Sequence, residues 1–182
     1  MFGRNLPMKL VQNGGVRPNS FDNNFKRLSV EQVSMVQSYP AAAIEILLVE
    51  DSPSDATLTM RNLEQSKLTN RVTWLEDGET AMRYLRQTGE YTQSLRPDLV
   101  LLDLNLPGLD GREVLHEIKT DPHLRTIPVV VLTTSAREAD ILAAYEMNVN
   151  CYITKPVDIQ QFIQVIQLIN DFWLTIVKLP PT

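Results

Sequence analysis

Four runs of aliphatic or strand-forming side chains in this chain close on groups that could do chemistry. Ile44 to Val49 is followed by Glu50 and Asp51, Leu99 to Leu102 by Asp103, Val129 to Leu132 by Thr133, and Tyr152 to Ile153, one residue later, by Lys155. An unpaired carboxylate among apolar groups costs several kcal/mol, so Asp103 at the end of LVLL needs a reason. It is either a turn former or a reactive group. Three carboxylates brought together repel by about 4 kcal/mol per pair at ~4 Å and an effective dielectric of ~20. They require a cation, or one of them must protonate. Oxygen donors without histidine or thiolate favour a hard ion, Mg2+, which keeps waters and binds a few carboxylates with a phosphate. Lys155 adds a fixed positive charge and Thr133 a hydroxyl. These are the parts for phosphoryl transfer onto a carboxylate: Asp103 as nucleophile, a metal to neutralise developing charge, and a lysine and hydroxyl for the equatorial oxygens.

Such residues meet only if their strands lie side by side. Apolar runs at Ile44 to Val49, Val72 to Leu75, Leu99 to Leu102, Val129 to Leu132 and Tyr152 to Ile153 alternate with segments of helical spacing that start near Ser54, Gly78, Gly111, Glu138 and Ile159. Parallel strands need helical, right-handed crossovers, and uninterrupted runs such as VVVL fit strands buried on both faces. The expected fold class is α/β, a doubly wound five-stranded parallel sheet with helices on both faces. Ligands bind such sheets outside the carboxyl ends of the strands, which is where all the nominated residues fall. Glu76 and Asp77 also close a strand, but the second strand is expected at the sheet margin and outside the site.

The bulk numbers agree with one domain plus tails. The chain has 182 residues, 43% hydrophobic and 21% charged, enough for one full core. A net charge of -5 argues against a nucleic-acid partner. A single cysteine, Cys151, forms no internal disulfide and suggests a reducing, cytoplasmic setting; no apolar run reaches the ~20 residues of a membrane helix. Residues 1–42 read as a poorly ordered N-terminal tail, mildly basic, with one short helix possible over Leu28 to Tyr39. Residues 43–178 form the domain with its extended last helix, and 179–182 a tail.

VEDSPSD, LLDLNLPGLDG, VVVLTTSA and YITKP, in that order, resemble the receiver domain of two-component response regulators over roughly Ile44 to Asp171. The intervals of 30 residues from Asp103 to Thr133 and 22 from there to Lys155 match that family's. The resemblance implies a flavodoxin-like sheet of order 2-1-3-4-5. It implies Asp103 as phosphoacceptor, Glu50 and Asp51 as the acidic pair at Mg2+ with Asp103, and Asn105 supplying the metal a backbone carbonyl. Thr133 and Tyr152 are the implied switch pair, with Lys155 at the phosphate. NVNCYITKP and DFWLTIVKLP are further similar to small stand-alone regulators of cyanobacterial phytochrome histidine kinases, which implies a phytochrome-type kinase as partner. The implied activity is phosphoacceptance with Mg2+-dependent self-phosphorylation and self-dephosphorylation, and not a turnover enzyme.

Each residue has a plainer reading. Asp51-Ser52-Pro53 is a good helix start, Lys155 could be a surface lysine, Tyr152 a core aromatic, Cys151 an inert thiol, and His116 and His123 surface residues. Two other functions stay open: a Mg2+-dependent phosphatase with an aspartyl-phosphate intermediate, against which the acidic pair on the first strand is Glu-Asp and not D-x-D, and a binding module independent of phosphorylation. Thr134 is bulky beside the switch hydroxyl, and GEYTQSLRP is a long surface loop. From Ile159 to Val177 the last helix carries more apolar surface than one core-facing stripe needs, which predicts a homodimer through it or docking of the tail. Output is expected on the face of the fourth helix, fifth strand and fifth helix.

Overall fold

The computed structural model describes residues 43–65 and 68–180. The expected tail of residues 1–42, with its helix over Leu28 to Tyr39, lies outside the described residues. Five strands, β1 (Ile44–Val49), β2 (Asn70–Leu75), β3 (Leu99–Leu102), β4 (Val129–Thr133) and β5 (Cys151–Thr154), form one parallel sheet of order β2-β1-β3-β4-β5. The crossovers are helices α1 (Pro53–Leu63), α2 (Gly78–Leu85), α3 (Gly111–Thr120) and α4 (Glu138–Glu146), and α5 (Ile159–Ile169) follows β5. This is the doubly wound topology expected of the sequence, with β2 at the margin.

Because side chains alternate along a strand, each buried strand feeds two cores. Leu47, Val49, Val100, Leu102, Val129 and Val131 pack with α2 and α3 through Ala81, Val114, Leu115 and Ile118. Ile46, Leu48, Leu99, Leu101, Val130 and Leu132 pack with α1 and α5 through Ala56, Leu63, Phe162 and Ile166. Strand β2 begins two residues before its apolar run. At the edge, Asn70 and Arg71 still pair with Ile44 and Glu45, and Arg71 Nη1 lies 3.0 Å from Glu45 Oε1.

Local signals set the helix starts. Ser52, rather than Asp51, caps α1 by accepting from the Asp55 N–H, with Pro53 at the first helical position. Asp77 caps α2, Asp110 and Glu113 form a capping box on α3, and Asp158 caps α5. Gly111 is required by close approach: a Cβ there would lie 2.1 Å from the Asp103 carbonyl oxygen. That contact presses the start of α3 against the end of β3.

The last helix departs from the expected single α-helix over Ile159 to Val177. It changes to π-helical turns over Asn170–Ile176, where the wider turn lets the adjacent Trp173 and Leu174 both reach the core. Leu179, expected in the tail, packs against the same cluster. The GEYTQSLRP loop is tied down by a short 3-10 turn (Gly89–Tyr91), by Ser94 Oγ donating to the Tyr84 carbonyl, and by Arg96 donating to the His123 carbonyl and Thr126 Oγ1. Among the described residues, no helix is long and apolar enough to cross a membrane.

Candidate functional site

The nominated residues meet at the carboxyl edge because the ladder runs one step past the strands. Glu50 N–H donates to the Leu75 carbonyl at 3.0 Å, Asp103 N–H to the Val49 carbonyl at 3.0 Å, and Lys155 N–H to the Thr133 carbonyl at 2.7 Å. Backbone hydrogen bonds therefore fix where Glu50, Asp103 and Lys155 sit before any side-chain contact is made. The Trp74 indole N–H adds a bond to the Glu50 carbonyl at 2.8 Å.

Lys155 is the hub. Its Nζ lies 2.5 Å from Glu50 Oε2, 2.8 Å from Asp103 Oδ2 and 3.1 Å from Asp55 Oδ2. Glu50, Asp103 and Lys155 are only 1%, 4% and 7% exposed. Burial alone works to lower the pKa of Lys155. Its hydrogen bonds to Asp103 and Glu50 outweigh that, so the ammonium is held above the ordinary lysine value. Burial pushes the Glu50 carboxyl up to about 7 against the pull of the same ammonium.

One oxygen atom each from Glu50, Asp51 and Asp103 fall within 4.8 Å of one another, with Asp51 exposed to solvent. With Asp55 nearby, four carboxylates face one lysine, an excess of three negative charges when all are ionised. All the donors are hard oxygens, and one side is open. That donor set fits a divalent ion that keeps waters, and would hold it through Glu50, Asp51 and Asp103.

Asn105 joins the acceptor to the hydroxyl. Its N–H donates to Asp103 Oδ1 at 2.9 Å, and its side-chain amide donates to Thr133 Oγ1 at 3.2 Å and Thr134 Oγ1 at 3.1 Å. Thr133 is fully buried. Tyr152 is half-buried, its ring packed on the first core and its hydroxyl donating to the Ser135 carbonyl at 2.9 Å. His116 and His123 are exposed on and after α3, away from these contacts.

Every nominated residue is thus at or beside one edge. The sequence reading missed Asp55, although its place in the first turn of α1, directly after the acidic pair and the Ser52-Pro53 helix start, was the available signal. It also missed the pairing of Arg112 with Asp140, which depends on how α3 meets α4.

The family model for the response regulator receiver domain matches residues 46–167. The chain belongs to the response regulator receiver family. The receiver is 53% identical over 135 residues to the response regulator Rcp1 of Synechocystis sp., spanning 74% of this chain and 92% of that protein. The Mn2+-bound crystal structure of Rcp1 superposes with a TM-score of 0.75 at 51% identity, covering 76% of this chain and 99% of the chain in that structure. The phosphorylated cyanobacterial phytochrome response regulator RcpA gives 0.75 at 51% identity, covering 77% and 100%.

Proposed function

We propose that this receiver takes a phosphoryl group onto Asp103 from the phosphohistidine of a phytochrome-type histidine kinase. The observation that carries the reading is the Asp103 carboxylate, buried yet bonded to Lys155 Nζ and clustered with Glu50 and Asp51 at the open edge. In the transfer the phosphorus–nitrogen bond to histidine breaks and a phosphorus–oxygen bond to Asp103 forms. Lys155 Nζ and the Thr133 hydroxyl take phosphoryl oxygens. Glu50, Asp51, Asp103 and the Asn105 backbone carbonyl would hold Mg2+, which when bound would neutralise the charge that develops. The phytochrome-type partner is supported by the names of the relatives at about half identity. Hydrolysis back to the free carboxylate is expected to be the receiver's own Mg2+-dependent chemistry.

Phosphorylation brings roughly -1.5 to -2 charge and strong acceptors, which draws the Thr133 hydroxyl away from Asn105 and leaves Tyr152 room to rotate. The change is read on α4, β5 and α5. Leu142 and Tyr145 of α4 and Leu168, Phe172 and Ile176 of the last helix are exposed there and beyond, an apolar surface that suits a homodimer through the C-terminal helix. Residues 43–178 act as the receiver unit, in the cytoplasm.

The test is phosphotransfer from candidate kinases, with Mg2+ and with the metal chelated. Wild type gains hydroxylamine-labile phosphate only with Mg2+, and Asp103→Asn gains none. Label that persists in Asp103→Asn, or no label from any donor, overturns the assignment. Equilibrium sedimentation showing only monomer at micromolar concentration, with and without phosphate, removes the dimer.

A further inference from the structure

An ammonium has three N–H donors, and Lys155 directs all three to carboxylates. Glu50 Oε2, Asp103 Oδ2 and Asp55 Oδ2 lie 2.5, 2.8 and 3.1 Å from its Nζ. The proposed transfer asks Lys155 for a further bond, to an oxygen of the phosphoryl group, and no donor is left over. One carboxylate has to give way.

The three partners differ in how readily they can do so. Glu50 is buried, with the Ser52 N–H at 3.2 Å as its further support, and without the ammonium it would be a carboxylate stranded in a low dielectric. Asp103 is the acceptor itself: Oδ1 takes the Asn105 N–H at 2.9 Å and Oδ2 the ammonium, and the two bonds together aim the carboxylate. Asp55 stands apart. Its bond is the longest of the three, and its side chain is 36% exposed against 2% for Glu50 and 5% for Asp103. It lies in the first turn of α1, where water and the positive end of the helix dipole compensate a carboxylate that loses its partner. Asp51 and Asp55 are also the acids of the cluster that solvent reaches, so a phosphodonor enters on the side where the Asp55 bond lies.

We propose that Asp55 is a positioning residue that occupies the solvent-side N–H of Lys155 and yields it to an oxygen of the phosphoryl group on Asp103. The inference deepens the phosphoacceptor reading and rests on it. The Lys155–Asp55 bond belongs to the free receiver only, so it favours that state, and weakening it shifts the balance toward the phosphorylated one. Asp55 thereby sets how tightly the ammonium holds the phosphoryl oxygens without touching them itself.

The test uses the full chain at saturating Mg2+, with beryllofluoride as the probe for a phosphoryl group on Asp103 and titration calorimetry as the readout. Asp55→Asn keeps the shape of the side chain and removes its charge. It should bind beryllofluoride about two- to fivefold tighter than wild type, the range that a part-exposed ion pair spans. The gain should vanish once Lys155→Gln has removed the ammonium. Unchanged affinity in Asp55→Asn overturns the exchange. A gain that persists in Lys155→Gln overturns it too, since the Asp55 charge would then act on the anion directly. Where Lys155→Gln does not fold or binds no beryllofluoride, NMR of the wild-type Lys155 ammonium decides, its signal being assigned by its loss in Lys155→Arg. Its coupling across the hydrogen bond to the Asp55 carboxylate carbon should disappear on adding beryllofluoride, and a coupling that remains overturns the exchange. Wild type that takes up beryllofluoride and phosphate, with Asp55→Asn unchanged, removes the exchange alone. Wild type that takes up neither removes the phosphoacceptor reading and the exchange with it.

Discussion

Two lysines, Lys155 buried and Lys119 half-buried, sit in opposite electrostatic surroundings. Lys155, just past the carboxyl end of β5, touches Glu50, Asp55 and Asp103. Lys119, near the end of α3 beside the start of β4, donates to the Ile127 carbonyl at 2.9 Å and to Asn150 Oδ1 at 3.0 Å, both neutral. Desolvation acts on both amines in the same direction. At Lys119 nothing opposes it and the pKa falls to about 8; at Lys155 the carboxylates reverse it. A desolvated ammonium is thus kept charged at the end of the sheet where anionic chemistry is expected, and only tolerated at the other end, where Lys119 is half-buried. The difference lies in the acids that the ends of β1 and β3 and the first turn of α1 deliver.

The largest break in that contrast is removal of the hub. Lys155→Met leaves Glu50 and Asp103 buried without their counter-charge, and losing one partner of a buried pair typically costs about 3–5 kcal/mol. Urea unfolding of the variant should show a loss of that order, partly restored by millimolar Mg2+, which binds only the folded acidic cluster. Lys119→Met, removing an amine with no charged partner, should change stability at pH 7 by about 1 kcal/mol or less. Equal costs for the two substitutions would end the contrast.

How much of this was legible in the sequence follows from how local each signal is. Glu50, Asp51, Asp103, Thr133 and Lys155 each stand at or just beyond the end of a strand-like run, so a rule about strand ends finds them without any knowledge of packing. The sheet was equally open, because runs such as Leu99–Leu102 have no polar alternation and must be buried on both faces. Strand β2 was under-read at Asn70 and Arg71, whose pairing is imposed by β1 and not by their own side chains. Asp55 was hidden because its role depends on α1 leaning over the edge. Arg112 and Asp140 were hidden because residues 28 apart on two helices meet only once α3 and α4 are placed. The π-helical turn at Asn170 was hidden for the same reason. The apolar pattern there fits a continued α-helix, and the wider turn appears only when Trp173 and Leu174 must share one core.

A second, smaller effect separates the lysines by pH. Between the folded value of about 8 and the ordinary 10.5, Lys119 binds more protons in the unfolded chain than in the folded one. Stability therefore rises with pH across that window, because deprotonation removes a burial penalty carried in full below pH 8. Wild type should gain about 1–3 kcal/mol relative to Lys119→Met between those limits, the subtraction cancelling other titrating groups. A flat difference between the two curves would show that the Lys119 amine stays hydrated.

The smallest effect is a conversion of one environment toward the other. Asn150 Oδ1 accepts from Lys119 Nζ at 3.0 Å and from the Val129 N–H at 2.9 Å, so Asn150→Asp places a carboxylate against the amine with little change in shape. Asn150 is exposed, and solvent screens the new charge, so the pair resembles a surface ion pair worth about 0.2–1 kcal/mol more closely than the Lys155 cluster. The Lys119 pKa, followed by NMR through its side-chain carbon next to the nitrogen, should climb from about 8 by less than one unit. A rise to the ordinary lysine value would mean that one carboxylate suffices to offset burial, and that the second and third acids around Lys155 exist for the metal and the acceptor chemistry rather than for the lysine. No rise would mean that Asn150 turns away once charged, leaving Lys119 with the Ile127 carbonyl alone.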